Sequence, residues 1–234
     1  MEADWEFEVG GNVTAPEAPI TKAPIREAPV IDACWPGFID LRLAPERAWH
    51  LPETAQLPAL AEALVRLNDA GSPVWTSKCD FWPHLKADEF DSGELDAPPG
   101  CSAHAIGCYI DLLPGSEQLW PQPAMAEVWC KQACDRLRGV PLRCCRADLV
   151  IRRAVIGPDS TEPLRLDLGI TAYLTACGES SAEAERALQA ALAALTDAVG
   201  CASRRLDVIA KPGKAHPGAS KLKPARPAES DDAL

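Results

Sequence analysis

The sequence predicts an α+β domain with a duplicated β-α-β unit and a single antiparallel sheet. Short apolar or alternating runs alternate with amphipathic helical patterns along residues 35–203, which is the span we assign to one domain. Two β-α-β units, at about 37–82 and 108–153, repeat residue types in the same order. Two such units in series are typical of the ferredoxin-like arrangement, in which the helices cover one face of the sheet.

The first unit is predicted to contain a strand at 38–43, a helix at about 54–70 and a strand at 74–81. The helix places apolar residues on one face at helical spacing and ends at Gly71, a residue type that favours helix termination. The two flanking runs alternate between apolar and polar residues, which is the pattern of half-buried strands.

The second unit is predicted from a strand at 108–113, a helix at about 124–138 and a strand at 143–156. Its residues match the first unit in order: Ile39-Asp40-Leu41 recurs as Ile110-Asp111-Leu112, and Trp49 recurs as Trp120. A further β-α unit at 164–199 is expected to extend the sheet. Its helix begins with the capping-box pattern Ser180-x-x-Glu183.

Both ends of the chain are predicted to be flexible and disordered arms. Residues 1–34 are rich in Pro and Ala, and residues 204–234 form a basic and then acidic tail. The net charge is −11; the last segment holds seven Lys/Arg against four Asp/Glu, so residues 1–203 carry −14. An acidic body disfavours nucleic acid and anionic membranes as partners. The sequence has no pattern of a secretory signal or a membrane span, so a cytoplasmic location is expected.

A charged face is predicted on the side of the sheet opposite the helices, because side chains alternate across a strand. Its candidate residues are Asp40, Lys78, Asp80, Asp111, Arg146, Asp148 and Arg152, with Asp167 from the further strand. Two interpretations stay open. The residues are either cross-strand ion pairs on a solvated sheet face or a site for a polar ligand or protein partner.

A loop of about 25 residues, 82–107, is the one place where metal ligands gather in the sequence. His84, Cys101 and His104 have ligand-like chemistry, and Cys101-x2-His104 has ligand-like spacing. Strand parity assigns the bordering Cys79 and Cys108 to the apolar face, which leaves three ligands instead of the usual four. Zinc is therefore a minor alternative, and no cofactor is predicted. The acidic run in this loop fails the EF-hand spacing.

The leading functional hypothesis is a non-enzymatic cytosolic accessory or adaptor protein. It would bind a protein partner through the charged face and the flexible arms. The alternative is a small-polar-ligand-binding protein or an enzyme that uses the same face under the 82–107 loop, with Asp40 or Asp111 as base and Arg146 or Lys78 as anion anchor. RNA binding is disfavoured, because Asp40 and Asp111 take the positions where RNA-binding sheets expose aromatic residues.

Overall fold

The computed structural model describes residues 1–8, 31–33, 35, 37–85, 89–99, 101–156 and 165–210, with the backbone alone at 165, 166 and 204–210. The described strands are β1 (Glu2–Phe7), β2 (Ile31–Asp32), β3 (Val74–Trp82), β4 (His104–Pro114), β5 (Cys145–Ile156) and β6 (Arg165–Gly178). The α-helices are α1 (Pro58–Leu67), α2 (Pro123–Arg138) and α3 (Ser181–Ala210), and short 3-10 helices span Pro45–His50 and Pro52–Thr54. The predicted α+β class is confirmed.

The six strands form one mixed sheet in the order β1-β5-β6-β4-β3, with β2 also pairing with β5. The central pairings β5–β6, β6–β4 and β4–β3 are antiparallel, whereas β1 and β2 run parallel to β5 along its outer edge. The further β-α unit adds a strand to the sheet, as predicted, but not at its edge. Its strand, β6, lies in the middle, where it pairs along its length with β4 on one side and β5 on the other.

The helices pack on one side of this sheet, which we call the helix face, and bury the main core there. On β4 the alternate residues Ile106, Cys108, Ile110 and Leu112 point into that core and are at most 2 % exposed. Burial of such a continuous apolar surface is the dominant favourable term in folding. Among the described helices, none has the length and apolar character needed to cross a membrane.

The predicted first strand at 38–43 was wrong, and the expected duplication is not confirmed. This segment is a turn, in which the Asp40 carboxylate accepts hydrogen bonds from the backbone N–H and the guanidinium of Arg42. Such local side-chain bonds compete with strand pairing. The proposed equivalents also differ in environment, since Trp49 is 48 % exposed and Trp120 is 1 % exposed. The ferredoxin-like repeat is therefore not what organises this sheet.

The two predicted arms also contain regular structure. Residues 2–7 form β1, whose alternate Ala3 and Trp5 face the core while Glu2, Asp4 and Glu6 do not. Charged residues on an edge strand are a common protection against edge-to-edge pairing. At the other end, α3 continues to Ala210, beyond the predicted boundary at 203. The remaining parts of both predicted arms, 9–30 and 211–234, lie outside the described residues.

A β-bulge in β3 changes which of its side chains face the helices. The register with β4 shifts between Thr76 and Cys79, so Ser77 and Lys78 form the irregular segment. Strict alternation would place Trp75 and Cys79 on the same side of the sheet; in the structure Trp75 packs on the opposite side from Cys79. An extra residue on one strand of an antiparallel pair has this effect on side-chain direction. Cys79 and Cys108 do face the helix side, as predicted.

Candidate functional site

The side of the sheet opposite the helices, which we call the open face, carries the polar side chains of the central strands. Two short segments cover its ends. Phe38 packs with Trp75 and Leu113 at one end, and the loop residues Leu85 and Leu95 pack with β4 and β6 at the other. The middle of the open face lies between these two apolar clusters, so it remains reachable from solvent.

An aromatic row crosses this middle region. Tyr109 on β4 and Tyr173 on β6 are directly paired, with ring centroids 6.0 Å apart, and Trp82 on β3 lies 5.7 Å from Tyr109. All three side chains are half-buried. Burial, followed by the negative charges of Asp111 and Asp80, raises the pKa of Tyr109 to about 12. The phenol is therefore neutral at physiological pH, and the row presents uncharged π-faces.

Carboxylates stand at both ends of the row. In the register of the sheet Asp80 pairs with Tyr109 and Asp148 pairs with Tyr173, so one rung of the sheet reads Asp80, Tyr109, Tyr173, Asp148. The Asp80 carboxylate accepts one hydrogen bond, from the N–H of Phe81 at 2.7 Å. Both acidic side chains are only partly buried.

Asp111 lies next to the row and is the most buried carboxylate on the open face, at 6 % exposure. The Thr171 hydroxyl donates to its Oδ1 at 2.6 Å, and Arg152 Nη1 donates to the Thr171 hydroxyl at 3.1 Å and to the Tyr173 hydroxyl at 2.9 Å. Burial raises the pKa of Asp111, while the Thr171 hydrogen bond and the Arg152 charge oppose the shift. This network fixes the direction of the Tyr173 ring.

The two arginines of the open face are already neutralised by acidic neighbours. Arg146 donates from Nε to both oxygens of Asp148, at 2.8 and 2.9 Å, and lies 3.6 Å from Glu94. Arg152 forms a salt bridge with Glu8 at 2.6 Å. By contrast, Glu2, Glu6 and Asp80 form no ion pair with any other residue that the structure describes. The face therefore keeps an excess of negative charge.

The structure brings six of the seven predicted face residues to this side of the sheet and leaves one elsewhere. Asp80, Asp111, Arg146, Asp148 and Arg152 lie on β3, β4 and β5, and Lys78 lies in the bulge. Asp40 does not belong to the face, because its segment is a turn closed by the Arg42 ion pair. The hydrogen bond from Arg42 lowers the pKa of Asp40, which makes this carboxylate a weaker base. Asp167 lies near the start of β6, where it pairs with Ala154 near the end of β5.

The candidate zinc ligands are distributed differently. His84 is exposed after β3, His104 is the exposed first residue of β4, and the Cys101 thiol donates to Glu179 Oε1 at 3.5 Å. Within the part of the chain that the structure describes, no three His, Cys, Asp or Glu side chains come close enough together to hold a metal ion.

The chain matches no protein-family model, no curated protein and no solved structure. Function therefore has to be argued from the chemistry of the site itself.

The aromatic row was not predicted from the sequence. RNA binding was disfavoured on the premise that carboxylates occupy the central strands in place of aromatic residues. This premise was wrong, because Tyr109 and Tyr173 occupy adjacent central strands. The signal was present in the two-residue spacing of Tyr109 and Asp111, which places both on one face of a strand. The surplus of carboxylates remains an argument against a phosphate backbone.

Proposed function

We propose that this protein is a non-enzymatic accessory or adaptor protein whose open face binds a Lys/Arg-rich segment of a protein partner. The observation that carries the proposal is the aromatic row Trp82, Tyr109 and Tyr173 with carboxylates at its ends. Ammonium and guanidinium groups are attracted to aromatic faces, and the attraction grows when the site excludes water. The surplus carboxylates supply the complementary charge.

The geometry favours an extended segment over a compact ligand. The row crosses three neighbouring strands, which lie about 4.8 Å apart, so its rings span roughly 10 Å. Successive cationic side chains of one extended peptide can reach different rings along such a row. Arg146 is held by Asp148, and Arg152 is held by Glu8 with its guanidinium 5.4 Å from the centre of the Tyr173 ring. Trp82 and Tyr109 are therefore the rings of the row that an incoming cation would contact.

The test is the affinity of the full-length protein for a synthetic Arg-rich peptide, with a Glu-for-Arg peptide of equal length as the reference. We expect Trp82→Leu, which keeps an apolar side chain and removes the π-face, to weaken binding about fivefold, the equivalent of a cation–π contact near 1 kcal/mol. Trp49→Leu is the matched control, because Trp49 is exposed on a 3-10 helix away from the open face.

Ionic strength provides a second readout in the same assay. Binding to an acidic surface weakens as salt screens the charges, whereas an apolar docking site is much less sensitive. Equal affinities for the Arg-rich and Glu-rich peptides, or equal losses for Trp82→Leu and Trp49→Leu, would contradict the proposal.

A further inference from the structure

A second concave site lies along the outer edge of β3, beside the aromatic row. A cavity of about 470 Å³ separates this edge from the segment 35–53, and its size falls within the range of small-molecule sites. Six residues carry its chemistry: Trp35, Ile39, Leu51, Glu53, Lys78 and Asp80. The β3 bulge at Ser77 and Lys78 forms part of the wall, and bulges are over-represented next to binding and active sites.

The cavity contains one cationic side chain without an acidic partner among the described residues. The Lys78 ammonium lies 5.5 Å from the centre of the Trp35 ring and forms no ion pair within the described ranges. The indole N–H of Trp35 is itself closed off and does not open into the cavity. A ligand carboxylate would complement the Lys78 ammonium.

The same cavity contains two carboxylates, Glu53 and Asp80. Neither forms an ion pair with another residue that the structure describes. Their field reaches the neighbouring thiol: burial first, and then the charges of Glu53 and Asp80, raise the pKa of Cys79 to about 12. The thiol is thus protonated and cannot serve as a nucleophile at physiological pH. A ligand ammonium would satisfy the two carboxylates.

The remaining wall is apolar. Ile39, Leu41 and Leu51 line the cavity together with Leu64 of α1. Gly37, also in the lining, has φ +97°, and a Cβ there would come within 3.0 Å of the Trp35 ring. Glycine is therefore required for the turn that holds the indole at the cavity. The wall offers an apolar ligand side chain a surface to bury.

We propose that this edge cavity binds a free α-amino acid with an apolar side chain. Lys78 would hold the carboxylate, Glu53 and Asp80 the ammonium, and the leucine and isoleucine wall the side chain. A simple organic anion would face Glu53 and Asp80 without compensation. A simple amine would leave Lys78 without a counter-ion. The zwitterion is the one of these three classes that complements both signs of charge in the wall.

The experiment is calorimetric titration of the full-length protein with three related probes: L-phenylalanine, L-phenylalaninamide, which lacks the carboxylate, and 3-phenylpropionate, which lacks the ammonium. We expect L-phenylalanine to bind at least tenfold more tightly than either analogue. Lys78→Met should cost about tenfold in L-phenylalanine affinity and should not weaken the amide. Lys131→Met, at an exposed position of α2, is the matched control and should change nothing.

Glu53→Gln is the reciprocal variant and should weaken L-phenylalanine without weakening 3-phenylpropionate. Absence of binding by all three probes, or equal binding of an analogue and the amino acid, would overturn the proposal. Lys78 and Glu53 are not part of the aromatic row, so Arg-rich peptide affinity measured on the same variants separates this proposal from the proposed function. If wild-type protein does not bind the peptide but does bind the amino acid, only the proposed function is contradicted.

Discussion

The two faces of the central strands differ in the burial and the polarity of their side chains. On β4, Ile110 of the helix face is completely buried among apolar side chains, whereas its neighbours Tyr109 and Asp111 on the open face are a half-buried phenol and a buried carboxylate. The helix face removes apolar area from water, which stabilises the fold. The open face keeps groups whose burial costs free energy. Polar groups retained at such a cost are the reason that we propose the open face as a binding surface.

The largest expected effect concerns the helix face. Trp129 of α2 is fully buried, lies 5.0 Å from the Trp120 ring and donates its indole N–H to the Ser203 hydroxyl at 3.0 Å. Trp129→Ala should lower the free energy of unfolding by about 3–5 kcal/mol, measured by urea denaturation. The adjacent Val128→Ala, at a position 39 % exposed, should cost less than about 1 kcal/mol. Equal losses would mean that the helices do not cover the core as described.

An intermediate effect concerns the buried carboxylate of the open face. Burial raises the pKa of Asp111 above its ordinary value of 3.8, so the folded state holds this proton more tightly than the unfolded chain. The resulting stabilisation is complete below pH 3.8 and is lost as the pH rises through the raised pKa. Asp111→Asn removes this titration.

The wild type should therefore lose stability relative to the Asp111→Asn variant as the pH rises from about 3.5 to 7. Urea denaturation of both proteins across this range measures the difference. A wild type that instead gains stability over the variant with rising pH would mean that Thr171 and Arg152 outweigh the burial of Asp111.

The smallest expected effect concerns the loop that covers one end of the open face. Arg143 and Asp96 form an exposed ion pair at 3.2 Å, and such pairs contribute little. Arg143→Gln should change the free energy of unfolding by less than about 1 kcal/mol. Leu95→Ala, at a position 2 % exposed in the same loop, should cost about 2–3 kcal/mol. The reverse order in thermal denaturation would mean that charge, not apolar burial, holds the loop.

The second half of the fold was predictable because its patterns are long and regular. The helix at 124–138 and the strand at 143–156 were found close to their predicted bounds, since many apolar positions in each element report the same period. The last helix begins as predicted but continues to Ala210 instead of ending at 199. The segment 38–43 has a strand-like pattern over only six residues, and the Asp40–Arg42 hydrogen bonds outweighed it. A pattern this short cannot show which local side-chain hydrogen bonds will compete with strand pairing.

Strand β1 was missed although Glu2–Phe7 alternates with a period of two. Its carboxylates and the Pro-rich residues after it suggested an arm, whereas charge on the solvent side is common for an edge strand. Part of the candidate site was predicted from the alternation of side chains along each strand. This alternation placed Asp111, Arg146, Asp148 and Arg152 on the correct face. The bulge at Ser77 and Lys78 depends on pairing with β4 and has no sequence signal.

Nuclear magnetic resonance of the tryptophan indole N–H groups tests the proposed binding face most directly. Trp82 belongs to the aromatic row on the open face, and Trp129 is buried on the helix face, so the protein contains both the probe and its control. On titration with the Arg-rich peptide, the indole resonance of Trp82 should shift in a saturable way while that of Trp129 stays in place. A shift of Trp129 with Trp82 unchanged, or no shift of either, would contradict the account.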